Sequence, residues 1–298
     1  MATLREIKRR ISSVDKTKQM TAAMKTVAAV KVRNAQQALF AIRPYAANLA
    51  EVIARLSVHS TEEAHYLLHI RPEERTVLVV ITSDRGLCGA FNNNIIKAAV
   101  EYVEEHRRKY KTEPDIVAVG RKGRDALAKT GFNVVDEYVG FFREMTFDDA
   151  RIIGEKAISE FEEGDVDRVD FLYPHFFSTG TQEISVRSVL PIKIEDMLLE
   201  EEVDMAGIER YGDVEYIFEP TRAEILTRLL PLYVNVQVWR ILQESVSSEH
   251  GARMMAMEQA TSNCEDILDE LTLHFNKARQ AAITKELLEV ASTAEAIK

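Results

Sequence analysis

Residues 232–298, LYVNVQVWRILQESVSSEHGARMMAMEQATSNCEDILDELTLHFNKARQAAITKELLEVASTAEAIK, hold no proline and one glycine, Gly251. That is the composition of a single very long helix rather than of several packed ones, and at 1.5 Å per residue it predicts a span of roughly 100 Å. No ordinary domain of this size buries such a helix, so it is expected to project or to lie against a partner. Its start is marked by Thr221-Arg-Ala-Glu224 after Pro220, a capping-box arrangement in which hydroxyl and carboxylate each satisfy a free backbone donor. Val234, Val236 and Val238 alternate like a strand. Helical spacing nevertheless resumes at Trp239, Leu242 and Val246 without a turn, which favours helix throughout. Val236, Trp239, Val246, Met257, Ala260, Cys264, Ile267, Leu271 and Ala278 fit a three-four seam, whereas Gln243, His250, Arg253, His274 and Lys285 interrupt it.

A second long helix is expected at the other end of the chain. Stepping three and four residues from Leu4 reaches Ile7, Ile11, Val14, Lys18, Thr21, Lys25, Ala28, Val32, Ala35, Leu39, Ile42, Ala46, Leu49, Ile53 and Leu56. A heptad seam of that extent predicts a left-handed coiled coil. Pro44 is expected to kink or break it. The polar seam residues Lys18, Thr21 and Lys25 have two readings. Either the helix faces something other than its usual mate there, or the seam drifts to Met20, Met24 and Val27, as 3.6 residues per turn would allow.

Charge is unevenly divided. The 298 residues carry a net −10, yet residues 1–43 hold ten Lys or Arg against Glu6 and Asp15, a net +8 that leaves −18 elsewhere. A basic helix fits nucleic acid, an anionic membrane surface, an acidic protein surface or a plain solvated face. Nucleic acid is disfavoured, because aromatic stacking residues are missing before Phe40 and the acidic remainder repels phosphate. No apolar stretch approaches membrane-spanning length, and the opening residues lack a signal peptide's apolar core. Any membrane association is therefore expected through a partner. The two cysteines, Cys88 and Cys264, sit far apart in different kinds of segment, which points to a reducing compartment rather than a disulfide framework.

Between the terminal helices lies a strand-helix alternation. Thr76–Ser83 reads as a buried strand, Asp84-Arg-Gly-Leu-Cys-Gly89 turns it into a helix ending near Tyr110, and Asp115–Gly120 is a second strand followed by a helix at 121–129. A helix over 146–161 precedes strands at 168–177 and 181–189, joined by Ser178-Thr-Gly180. The expected fold class is α/β: a mostly parallel Rossmann-like sheet covered on both faces, over residues 73–195, inserted between coiled-coil helices at 1–57 and 221–298.

Such a sheet invites a nucleotide, but the phosphate signatures are missing. Gly86-Leu-Cys-Gly89 and Gly120-Arg-Lys-Gly123 match neither G-x-G-x-x-G nor G-x-x-x-x-G-K-[ST]. The second is read as a tight strand-to-helix turn, with an anion at a helix start as the alternative. Cys88 is read as a buried thiol, the pair His65 and His69 lacks a third ligand at metal spacing, and Met254, Met255 and Met257 are read as packing.

Several blocks carry a resemblance. Leu4-Arg-Glu-Ile-Lys-Arg-Arg-Ile11, Met20-Thr-Ala-Ala-Met-Lys25, Val27-Ala-Ala-Val-Lys31 and Ile81-Thr-Ser-Asp-Arg-Gly-Leu-Cys-Gly89 with Asn92 resemble the gamma-subunit family of the rotary F-type ATP synthase. So do Ser248-Glu-His-Gly-Ala-Arg-Met-Met-Ala-Met257, Ala260-Thr-Ser-Asn263 and Asn276-Lys-Ala-Arg-Gln-Ala-Ala-Ile-Thr-Lys-Glu286, in family order along the whole chain. The resemblance implies a non-catalytic central shaft, with no cofactor and no metal. It implies terminal helices paired antiparallel inside a ring of three alpha and three beta subunits, and an α/β domain at the foot beside an epsilon subunit and the membrane c-ring. It also implies a peripheral position on the cytoplasmic side of a bacterial plasma membrane, since the cysteine-bearing regulatory insertion of photosynthetic relatives is missing.

The same resemblance implies contacts residue by residue. Met24 and Lys25 match a segment that touches the catalytic ring, with Thr26 standing where the family has a second methionine. Arg279, Gln280, Thr284 and Glu286 match polar positions near the tip that engage the ring, and Tyr216 and Glu219 match the segment facing the rotor ring. Val290-Ala-Ser-Thr-Ala294 lacks the family's usual glycine. Antiparallel pairing is expected to bring Met24 and Lys25 beside Arg279 and Gln280.

Overall fold

The computed structural model describes residues 3–57, 65–143, 145–176, 182–200, 219 and 221–296. The chain divides into two compact units, Val30–Ala252 and the pairing of Met1–Ala29 with Arg253–Lys298. Two helices contribute to both: α1 (Leu4–Ser57) and α6 (Arg222–Ala296).

The larger unit is built on a five-stranded sheet of β1 (Thr76–Ile81), β2 (Asp115–Val119), β3 (Val134–Tyr138), β4 (Arg168–Phe176) and β5 (Gln182–Leu190), in the order β3-β2-β1-β4-β5. β1 runs parallel to β2 and β4, and β3 parallel to β2, while β5 returns antiparallel to β4. Every residue of β1 is buried, because successive side chains enter two different cores. Leu78 and Val80 meet Phe91, Ile95, Ala99 and Val103 of α2 (Phe91–Tyr110) and Leu127 of α3 (Arg121–Leu127). Val77, Val79 and Ile81 face the other way, into the core shared by α4 (Phe147–Glu162), α1 and α6. Ala46, Leu49, Ile53 and Leu56 of α1 and Leu226, Leu230, Val234 and Val238 of α6 belong to that same core. The sheet is therefore covered on both faces, as the alternation implied.

Differences from the sequence reading are local. β3 escapes notice because its residues alternate half-buried and exposed and include Asp136 and Glu137, the pattern of a sheet edge rather than a core strand. α5 (Ile194–Glu200) is also unanticipated. Pro44 does not break α1, and Pro231 lies inside α6. Pro44 is exposed, so water can satisfy the carbonyl that it leaves without a donor. Of the capping box expected at the start of α6, the hydroxyl half is observed, with Thr221 Oγ1 accepting from the Glu224 amide at 3.3 Å. The turn at 178–180 falls outside the described residues.

In the smaller unit every expected seam position of α1 from Leu4 to Ala28 is buried or half-buried, while Met20 and Val27 are 63% and 59% exposed, so the seam does not drift. On α6 the inward positions are Met257, Ala260, Cys264, Leu268, Leu271, Phe275, Ala278 and Ala282. Ile267 and His274, each one residue away from that register, face solvent. The apparent interruption at His274 was an error of phase: Phe275 fills the position.

Candidate partner-binding surface

The three polar seam residues of α1 each find a partner on α6. Lys18 Nζ lies 2.8 Å from Glu265 Oε1, Thr21 Oγ1 lies 2.8 Å from Thr261 Oγ1, and Lys25 Nζ lies 2.7 Å from Glu258 Oε1. Drift of the seam is ruled out, and the three residues face the mate helix, which answers polar with polar across the pair. The signal was present in the sequence, since Lys18 and Lys25 are seven residues apart and so are Glu258 and Glu265. Charges one heptad apart on both helices fix register and orientation more than they add stability. The Glu265 hydrogen bond holds the Lys18 ammonium above its usual value. Both ion pairs are largely solvated, so each adds little to stability. Part of the basic excess of residues 1–43 is thus matched within the chain, by an acidic stretch of α6 that includes Glu258, Glu265, Asp266, Asp269 and Glu270.

The register also corrects the expected meeting of Met24 and Lys25 with Arg279 and Gln280. Lys25 stands opposite Glu258, and each step back along α1 is a step forward along α6, so Arg279 comes level with Leu4. The two groups lie about 30 Å apart along the pair. Met24 and Lys25 are half-buried, whereas Arg279, Gln280, Thr284 and Glu286 are exposed on a continuous helix. The Thr284 hydroxyl donates back to the Gln280 carbonyl at 2.9 Å. From Ile283 to Ser292 every residue of α6 is exposed, including Ile283, Leu287, Leu288 and Val290. Here the helix has run past the first residue of α1. Glu219, in a bend before α6, is exposed, and Tyr216 lies outside the described residues.

At the carboxyl edge of the sheet, where a Rossmann-like fold would receive phosphate, the chain fills its own donors. The Asp84 carboxylate accepts from the Arg121 amide at 3.0 Å and the Gly140 amide at 3.1 Å. Gly123 donates to Thr82 Oγ1 at 2.7 Å, and the Lys122 amide to the Ser83 carbonyl at 3.0 Å. Asn92 Oδ1 accepts from the Ser83 amide at 3.0 Å. Gly120 has a φ of +93°, and a Cβ there would stand 2.1 Å from the Thr82 carbonyl oxygen. The glycines of Gly120-Arg-Lys-Gly123 serve a close strand-helix crossing, with an internal carboxylate where an external anion would sit. Cys88 is a buried free thiol beside Asn92 Nδ2 at 3.2 Å, and Cys264 is a buried free thiol in the helical seam. Among the described residues no cluster of metal-ligating side chains forms and no helix is long and apolar enough to cross a membrane.

Comparison with known proteins accounts for this combination. A family model described as ATP synthase matches residues 3–297. The ATP synthase gamma chain of Salinibacter ruber is 41% identical over all of this chain and 99% of its own length. That of Geobacter metallireducens is 42% identical over the whole of both chains. Among solved structures, a chain of the Tetrahymena thermophila mitochondrial ATP synthase central stalk and c-ring is 25% identical, covers 81% of this chain and 99% of its own, and has a TM-score of 0.62. A chain of the Euglena gracilis mitochondrial ATP synthase shares the fold at a TM-score of 0.65 and 22% identity, over 99% of this chain and 94% of its own. With the family model and these relatives running from end to end, the chain belongs to the gamma-chain family of ATP synthases.

Proposed function

We propose that this chain is the central rotating shaft of a proton-translocating ATP synthase, coupling rotation of a membrane rotor ring to ATP synthesis or hydrolysis on other subunits. It carries out no bond chemistry. The α1–α6 pair stands inside a ring of three alpha and three beta subunits, and the α/β body meets an epsilon subunit and the c-ring. The complex sits peripherally on the cytoplasmic side of a bacterial plasma membrane. An asymmetric shaft offers each catalytic site a different face, and turning it exchanges their affinities. Each tenfold change in affinity requires about 1.4 kcal/mol of differential contact.

The observation that carries this reading is the register of the helical pair. With Lys25 aligned on Glu258, α6 beyond Ala282 has, among the described residues, apolar and polar side chains exposed on every face. A surface of that kind suits a sleeve that holds the tip while letting it turn. Below it, Met24 and Lys25, and at the tip Arg279, Gln280, Thr284 and Glu286, are the contacts with the ring. Tyr216 and Glu219 are the contacts with the rotor ring. Largely solvated polar contacts suit a turning surface, because deep apolar locking in one orientation would add a barrier.

The test is Lys25→Glu in the reconstituted complex, alone and combined with Glu258→Lys. The single variant is expected to lower ATP-driven proton pumping per ATP hydrolysed. The double variant restores the ion pair within the coil, and thermal stability with it, but not the pumping. Full recovery of pumping in the double variant would mean that Lys25 serves only its mate helix.

A further inference from the structure

Between Gln243 and His250, α6 carries a run of buried polar side chains that its role as a shaft does not require. Gln243, Glu244, Ser245, Ser247, Ser248, Glu249 and His250 are all buried, with the three serines fully so. This belt lies between two apolar contacts. Through Leu242 the helix belongs to the core on one face of the sheet, and at Ala252 it packs against the core of the other face. The belt is therefore where α6 crosses from one face to the other, alongside Pro174 and His175 of β4.

Two contacts join it to that strand. Ser248 Oγ donates to the Pro174 carbonyl at 3.0 Å, and Glu244 Oε2 lies 2.5 Å from His175 Nδ1, with Arg240 Nε at 3.2 Å from the other oxygen. β4 pairs with β1 only as far as Leu172, and beyond that point Ser248 satisfies the Pro174 carbonyl. Glu244 needs another explanation. A carboxylate this deeply buried contributes little or no net stability compared with an apolar residue that fills the same space, and it is strongly selective for the one geometry that pairs it. An apolar belt would let α6 rotate or slide against the strand with a shallow penalty, because apolar contact is non-directional. A buried carboxylate held at both oxygens would not. Any slip by one residue carries the side chain around by about 100° and strands the charge.

We infer that the Glu244–His175–Arg240 cluster is a torsional key: it fixes the rotational register of α6 in the α/β body, so that torque applied to the body passes to the helix without slip. This inference rests on the proposed shaft function. Glu244 and His175 are positioning residues, acting through α6 rather than on any partner.

The experiment uses the assembled catalytic ring and shaft, with the ring immobilised and a bead attached to the α/β body. Angular fluctuations are recorded during the pauses between ATP-driven steps, since their variance is inversely proportional to torsional stiffness. Glu244→Gln and, separately, His175→Gln are expected to raise this variance about twofold while ATP turnover stays close to the parent value. Arg151→Ala, which removes exposed ion pairs to Asp148 and Glu155 on α4, is expected to leave it unchanged. His175 is partly exposed and tolerates substitution more readily, so it decides the matter if the Glu244 variant does not assemble. Unchanged variance in an assembled variant overturns the inference. So does failure of both variants to assemble, which would make the cluster a folding element. A parent complex that hydrolyses ATP without turning the bead would instead contradict the shaft function itself.

Discussion

Gly120 and Thr82 show what a single position demands of the chain. Backbone at a φ of +93° with a carbonyl 2.1 Å from the missing Cβ admits no side chain. Gly120→Ala is expected to destabilise the α/β body by about 3 kcal/mol or more, combining backbone strain with overlap. Urea unfolding of the chain checks this, and a cost below about 1 kcal/mol would show that the crossing can relax. Glu244 makes a second prediction at this scale. Burial alone would raise its carboxyl, but the His175 hydrogen bond and the charges of His175 and Arg240 outweigh that and hold it below its ordinary 4.5. The resulting stabilisation is complete above the unfolded value and is lost as pH falls from about 4.5 through the folded value. Thermal melts should therefore lose less stability on acidification in Glu244→Gln than in the parent, and parallel losses would contradict the assignment. The glycine turn was legible as punctuation, yet its purpose was not, because Thr82 lies 38 residues earlier and only the β1–β2 register brings the two together.

At the scale of the element, periodicity carried most of the information for α1 and less for α6. Each seam position foreseen on α1 is at least half-buried, since an unbroken heptad leaves only one face to bury. On α6 the spacing around Ile267 and His274 misled by one residue. Leucine and phenylalanine at 268 and 275 offered an equally good seam, and only the position of the mate helix chooses between them. The polar cluster stands out in the sequence but its mates do not, because they lie some 240 residues away. Thr21→Cys with Thr261→Cys is expected to form a disulfide on mild oxidation, the hydroxyl oxygens being 2.8 Å apart. Met24→Cys with Arg279→Cys is expected to form none. The opposite pattern on a denaturing gel would overturn the register and with it the exposed tip. β3 and α5 were missed for a simpler reason: one is a short charged edge strand and the other a single short helix, and neither has the length over which a pattern accumulates.

For the whole molecule, the sequence shows how the chain is organised, but it cannot show how the parts share a core. Residues 42–56 of α1 and 226–242 of α6 pack with the sheet into the same apolar cluster, so these helices are body as well as shaft. The proposed contacts with other subunits rest on resemblance alone, because a surface meant for a partner has no internal geometry to constrain it. The direct test of the central claim is to assemble this chain with its alpha and beta subunits, fix the ring to a surface and attach a bead to the α/β body. On addition of ATP the bead is predicted to turn in one direction, pausing three times per revolution. A complex that assembles and hydrolyses ATP while the bead only diffuses would contradict it.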